Sequence, residues 1–102
     1  FDKALPTVDV IMLLRIQRER FANMPLSDEE YIRRYRLDHE RLARLREDTI
    51  VMHPGPYHRG VELDDSVLDF AGWRYATQVM HGVSVRMALL DFLVNGARTL
   101  VA

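Results

Sequence analysis

Two short apolar runs, separated by a polar stretch that favours helix, constrain this chain more than any other feature. The first is Val8-Asp9-Val10-Ile11-Met12-Leu13-Leu14, bounded by Pro6-Thr7 before it and by charged residues after it. The second is Ile50-Val51-Met52, which stops at His53. The near-continuous first run predicts a central strand buried on both faces, as in a parallel sheet. Between the runs, Ser27-Asp28-Glu29-Glu30 has the form of a capping box, with Ser27 as N-cap and Glu30 at the third helical position. It predicts a helix from Asp28 to about Arg36, with Tyr31, Ile32 and Tyr35 as its apolar stripe. Asp38 then caps a second short helix through Arg46, with Leu42 and Leu45 inward. Asn23 and Pro25 make residues 21–26 a loop. Two strands joined by helices form a βαβ crossover, expected to be right-handed. The fold class is therefore α/β with a parallel sheet.

In such sheets ligands bind beyond the carboxyl ends of the strands. Two stretches sit there and share one edge: Arg15-Ile16-Gln17 and His53-Pro54-Gly55-Pro56. Arg15 and Gln17 lie two apart, so a continuing strand sends both side chains to one side, a cation beside an amide that suits a small carboxylate. The competing reading is that Arg15 opens a solvated charged loop with Arg18, Glu19 and Arg20. In the segment from Pro54 to Gly60, two prolines fix φ and two glycines permit positive φ, so the loop has a specific shape with carbonyls free to face a ligand. A tight structural turn is the alternative.

Beyond this loop, Glu62 to Phe70 reads as a short helical turn capped near Asp64 or Asp65, and Gly72 breaks it. Arg74 to Val94 reads as a long helix: Ala76, Val79, Met80, Val83, Met87, Leu90 and Val94 recur at helical spacing, and Asn95-Gly96 ends it. Gly82 inside it implies a close contact. Ala88, Leu89, Phe92 and Leu93 spread apolar character around the helix. A helix apolar nearly all round is normally buried all round, and these 102 residues are too few to bury it. Arg86 within it is expected to be paired or to lie at an interface. Phe1 to Leu5 looks like the tail of an earlier helix. The chain therefore reads as part of a longer protein.

A net charge of −1 gives no global pull toward nucleic acid or an anionic membrane. The basic residues are thirteen Arg and one Lys, and those from Arg33 to Arg46 alternate with acids, the pattern of a solvated helix face. There is no cysteine, hence no disulfide framework or thiolate metal site; a reducing, cytoplasmic setting fits. The four histidines show no metal-ligand spacing.

Taken together, the run from Val8 through Arg15-Ile16-Gln17-Arg18-Glu19-Arg20 and the segment Met52-His53-Pro54-Gly55-Pro56 resemble the catalytic chain of the aspartate carbamoyltransferases. Glu30-Tyr31, Tyr35, Arg59-Gly60-Val61-Glu62, Gln78-Val79, Gly82-Val83 and Val85-Arg86-Met87-Ala88 agree in order and spacing. Ornithine carbamoyltransferases are less similar, with Cys-Leu-Pro in place of Pro54-Gly55-Pro56. The resemblance implies that residues 1–102 are the C-terminal part of a doubly wound aspartate-binding domain, with the helix of about 74–95 returning to an absent carbamoyl-phosphate domain. It implies that Arg15 grips a carboxylate of L-aspartate with help from Gln17. It also implies that the carbonyls of Pro54 and Gly55 accept from the carbamoyl NH2, that Gly55–Pro56 is cis, and that Arg20 helps hold two domains closed. It implies no catalytic nucleophile, metal or organic cofactor, but does imply a homotrimer, with a higher assembly as a further option. The resemblance implies that the product is N-carbamoyl-L-aspartate, for pyrimidine biosynthesis. The family's phosphate-binding motifs lie outside these residues, so this chain holds half a site. A non-catalytic interaction module of the same fold is the rival reading. Departures from the family pattern are Arg36, where Gly is frequent, and His81, where Asn is common.

Overall fold

The structure is a computed structural model that describes residues 1–15 and 27–96. Within them the order is β1 (Val10–Met12), α1 (Asp28–Tyr35), α2 (His39–Leu42), β2 (Ile50–Met52), α3 (Asp65–Leu68) and α4 (Tyr75–Asn95). β1 and β2 pair in parallel, with Val10 opposite Ile50, Ile11 opposite Val51 and Met12 opposite Met52. The two helices between them complete the expected βαβ crossover. The other edge of β2 is occupied too. Val51 donates to the Gly72 carbonyl at 2.9 Å and accepts from the Arg74 N–H at 2.9 Å, so the backbone around Trp73 runs alongside β2 like a third strand. Gly72 must be small there, because a Cβ would lie 2.3 Å from the Thr49 carbonyl oxygen.

The core is Leu5, Ile11, Leu13, Leu37, Val51, Leu63 and Val67, with Leu42, Leu45, Tyr57 and Trp73 packed around it. It lies on one face of β1 only. Ile11 and Leu13 are buried whereas Val10, Met12 and Leu14 are exposed. The strand was expected to be covered on both faces; among the described residues the second meets the Gln78 side chain, 3.8 Å from Met12 Sδ, and otherwise stays largely exposed. Burial therefore alternates along β1 although both of its faces are apolar in sequence.

The helix signals are reproduced with two changes. Ser27 caps α1 by accepting from the Glu30 N–H at 3.2 Å. The Glu30 carboxylate binds Arg33 at 2.5 Å and Arg34 at 2.7 Å; no bond from it back to the Ser27 N–H is found. The predicted capping box is thus observed only in its first half. Asp38 caps α2 through the Arg41 N–H at 3.0 Å, but α2 ends at Leu42, short of Arg46. Residues 1–7 form successive turns, with Thr7 N–H bonded to the Ala4 carbonyl at 2.9 Å, rather than a helix tail. Pro6 has no N–H with which to continue a helix.

Arg41 corrects the reading of the arginine-rich stretch as wholly solvated. Its side chain is buried. It donates to the Arg36 carbonyl at 2.6 Å, the Arg33 carbonyl at 2.8 Å and Asp2 Oδ1 at 2.7 Å, with Phe1 beneath its guanidinium. The two carbonyls belong to the end of α1, where backbone acceptors have no partners within the helix. α4 is as long as expected, but no residue in it is buried; Met80, Met87, Leu90, Leu93 and Val94 are all exposed.

Candidate functional site

The two strands deliver their ends side by side. Leu13 N–H donates to the Met52 carbonyl at 2.9 Å, so the segments leaving β1 and β2 start together at the carboxyl edge of the sheet. Arg15 leaves this edge exposed to solvent. Gln17 and Arg20 lie outside the described residues. On the other segment, Pro54 and Pro56 are exposed, Gly55 is half-buried with φ of 77°, and the Gly55–Pro56 peptide is cis as the resemblance implied.

What shapes the loop is the wall behind it. His53 is fully buried. Its backbone N–H donates to Gln78 Oε1 at 2.9 Å, which ties the end of β2 to the first turns of α4. Its ring accepts from the Gly55 N–H at Nδ1, 2.8 Å away, and meets Glu62 Oε1 through Nε2 at 3.0 Å. Since Nδ1 accepts, the ring proton is on Nε2, and that N–H donates to the carboxylate. Glu62 is equally buried, and its Oε1 also accepts from the His58 N–H at 2.8 Å. Burial pushes the Tyr31 phenol up, with the nearby Glu62 carboxylate adding to the shift. An aromatic group backs the loop. Tyr57 meets Tyr75 edge-on at 4.9 Å, Trp73 stacks on Tyr75 at 5.6 Å, and the Tyr75 hydroxyl lies 2.7 Å from where a Gly55 Cβ would stand.

A cavity of about 170 Å³ opens beside the loop, lined by Pro54, Gln78, Val79, Gly82 and Arg86. The close contact expected at Gly82 is with a side-chain tip only: a Cβ there would sit 3.2 Å from Arg86 Nη1, which a small movement of that flexible side chain would relieve, so no backbone approach requires the glycine. A larger hollow of about 510 Å³ is lined by Arg59, Gly60, Asp64, Asp65 and Ser66. It is a poorer candidate, because its cation is already spent: Arg59 Nε binds Asp65 at 2.8 Å. Among the described residues no cluster of His, Asp and Glu could hold a metal.

The aspartate/ornithine carbamoyltransferase Asp/Orn binding domain matches residues 1–93 at the level of a family profile. The chain belongs to this family. Among curated relatives, the aspartate carbamoyltransferase catalytic subunit of Thermobifida fusca is 50% identical over 97 residues, covering 94% of this chain and 31% of the relative. That of Streptococcus suis is 47% identical over 96 residues, again 31% of the relative. The chain thus spans about a third of the length of the carbamoyltransferases it matches. Aspartate transcarbamoylase from Trypanosoma cruzi, in complex with carbamoyl phosphate and aspartate, superposes with a TM-score of 0.70 at 29% identity, covering 88% of this chain and 28% of that one. Its complex with carbamoyl aspartate and phosphate gives 0.73. An ornithine carbamoyltransferase from Campylobacter jejuni shares the carbamoyltransferase fold, at 22% identity and a TM-score of 0.73.

Sequence reasoning placed Arg15 and the Pro54–Pro56 loop on one edge, and the structure does the same. It missed the buried His53–Glu62 pair. Nothing in periodicity announces that two polar residues nine apart will meet, and Arg59-Gly60-Val61-Glu62 entered only as a likeness. The one available signal was a histidine directly following a buried strand.

Proposed function

We propose that this chain is the aspartate-side part of an aspartate carbamoyltransferase. It transfers the carbamoyl group of carbamoyl phosphate to the amine of L-aspartate, giving N-carbamoyl-L-aspartate and phosphate, a step of pyrimidine biosynthesis. The observation that carries the reading is the juxtaposition, at one sheet edge, of an exposed arginine and a loop of shaped backbone carbonyls. Arg15 binds a carboxylate of aspartate, with Gln17 beside it. The carbonyls of Pro54 and Gly55 accept from the carbamoyl NH2, and Pro56 fixes the loop beyond them. The amine attacks the carbamoyl carbon, loses a proton, and the C–O bond to phosphate breaks. No covalent enzyme intermediate is needed, so orientation and electrostatic stabilisation of the tetrahedral species carry the rate. Arg86 brings a further cation to the cavity beside Pro54.

Residues 1–102 form the C-terminal part of the aspartate-binding domain, and α4 returns to a carbamoyl-phosphate domain that covers its apolar surface. Arg20 helps hold the two domains together. The assembly is a homotrimer acting in the cytoplasm, and no described helix is long and apolar enough to cross a membrane. The test is a carbamoyl-transfer assay on the complete polypeptide carrying these residues. Arg15→Ala is expected to raise the aspartate KM and lower kcat/KM by about 100-fold or more, the cost of removing a charge-assisted contact of roughly 3 kcal/mol. Unchanged aspartate kinetics in that variant would remove Arg15 from the site.

A further inference from the structure

We propose that His53, held by Glu62, is a positioning residue that aims the Pro54 carbonyl at the carbamoyl group; this rests on the carbonyl-loop reading given above. The argument starts from the planarity of the peptide. The Pro54 carbonyl and the Gly55 N–H belong to one planar peptide unit, in which, for the trans form, they point in opposite directions. The Gly55 N–H is bound to His53 Nδ1 at 2.8 Å. Fixing that N–H on the buried ring turns the Pro54 oxygen to the other side, away from the ring.

The ring itself has little freedom. Its Nε2–H is held by Glu62 Oε1 at 3.0 Å, and its backbone is pinned by Gln78 Oε1 at 2.9 Å. Tyr57 and Tyr75 contact it edge-on at 5.8 and 6.4 Å. Glu62 sets the tautomer: its carboxylate accepts from the Nε2–H, which keeps the ring proton on Nε2 and leaves Nδ1 bare to accept. The same oxygen accepts from the His58 N–H, so one carboxylate anchors the ring and the outgoing end of the loop together. His53 and Glu62 are both fully buried, and the ring's one remaining acceptor is committed to the Gly55 N–H, which sets the direction of that peptide plane.

Two near-isosteres separate the functions of the ring. His53→Asn retains an acceptor close to Nδ1 and loses the contact with Glu62. His53→Gln retains a donor close to Nε2 and loses the acceptor for Gly55. In the complete polypeptide, His53→Gln is expected to lower kcat about 100-fold, the effect of a misplacement near 1 Å, with aspartate KM unchanged, while His53→Asn stays within about tenfold of the parent. Thermal midpoints measured in parallel should not follow this split. Equal losses in both variants, or losses that track the midpoints, would mean a purely structural histidine and overturn the proposal. Nitrogen-15 NMR of the unsubstituted protein gives a readout that needs no catalysis. The expected result is a proton on Nε2 and a bare Nδ1 coupled to the Gly55 N–H; a proton on Nδ1 overturns the proposal even if neither variant folds. If the unsubstituted protein makes no N-carbamoyl-L-aspartate, the functional reading fails, and the NMR result still decides the geometry.

Discussion

Arg41→Met tests whether a buried guanidinium, rather than helix propensity, holds α1 against the rest of the crossover. Methionine keeps most of the length and apolar stem of arginine, so the substitution removes hydrogen bonds more than volume. Arg41 donates to the Arg33 carbonyl at 2.8 Å and the Arg36 carbonyl at 2.6 Å, and grips Asp2 with distances of 2.7 and 3.4 Å. A hydrogen bond with a charged partner contributes about 1.5–3 kcal/mol net. Arg33 is exposed and Arg36 half-buried, so water can partly replace the lost donor, and the low end applies. Two carbonyls at about 1.5 kcal/mol each give a loss of about 3 kcal/mol before Asp2 is counted. Urea unfolding followed by Trp73, the single tryptophan of these 102 residues, measures it. With a slope of about 1.5–2 kcal/mol/M, the midpoint should fall by about 1.5–2 M with the slope unchanged. Arg41→Lys should recover little, because an ammonium cannot fork between the α1 end and Asp2. A midpoint shift below about 0.3 M for Arg41→Met would refute the argument and return Arg41 to an ordinary surface role.

The remaining predictions concern the same scaffold. Arg41's hydrogen bond holds the Asp2 carboxyl below its usual value of 3.8. A lowered folded-state pKa means that the pair stabilises the protein above 3.8 and that this contribution fades as pH falls through the lowered value. Urea midpoints between pH 5 and about 2 should therefore drop less steeply in Arg41→Met than in the parent. Leu63→Ala removes a fully buried core side chain and should cost about 2–5 kcal/mol by the same unfolding assay. Ser27→Ala deletes the α1 cap and should cost about 1 kcal/mol, with amide exchange accelerated at Glu30 and Tyr31 before it changes elsewhere.

How much of this was legible in the sequence depended on whether the deciding contact was local. Ser27, Asp38 and Asp64 each cap a helix through a side chain acting on a backbone N–H two or three residues ahead, and such signals survive in a linear reading. The pairing of β1 with β2 was legible because two apolar strands joined through helices form the usual crossover between parallel neighbours. Arg41 was not legible: its partners come from residue 2 and from the far end of another helix, and a charge pattern counts it with the exposed arginines around it. Nor was the His53–Glu62 pair.

The exposed second face of β1 and the exposure of α4 have one physical root. Val10, Met12 and Leu14 are apolar yet exposed on one face of β1, and the apolar residues of α4 from Val79 to Val94 are exposed as well. An apolar residue contributes about 25 cal/mol per Å² only when something removes it from water. A sequence can show that a surface is built for burial, but not which atoms bury it. On α4 that surface goes well beyond the single stripe an independent domain needs, and on β1 it includes a whole strand face. The apolar surface left in water thus lies on α4 and the outer face of β1 rather than around the Leu37–Leu63 core, in a chain that spans about a third of the length of its relatives.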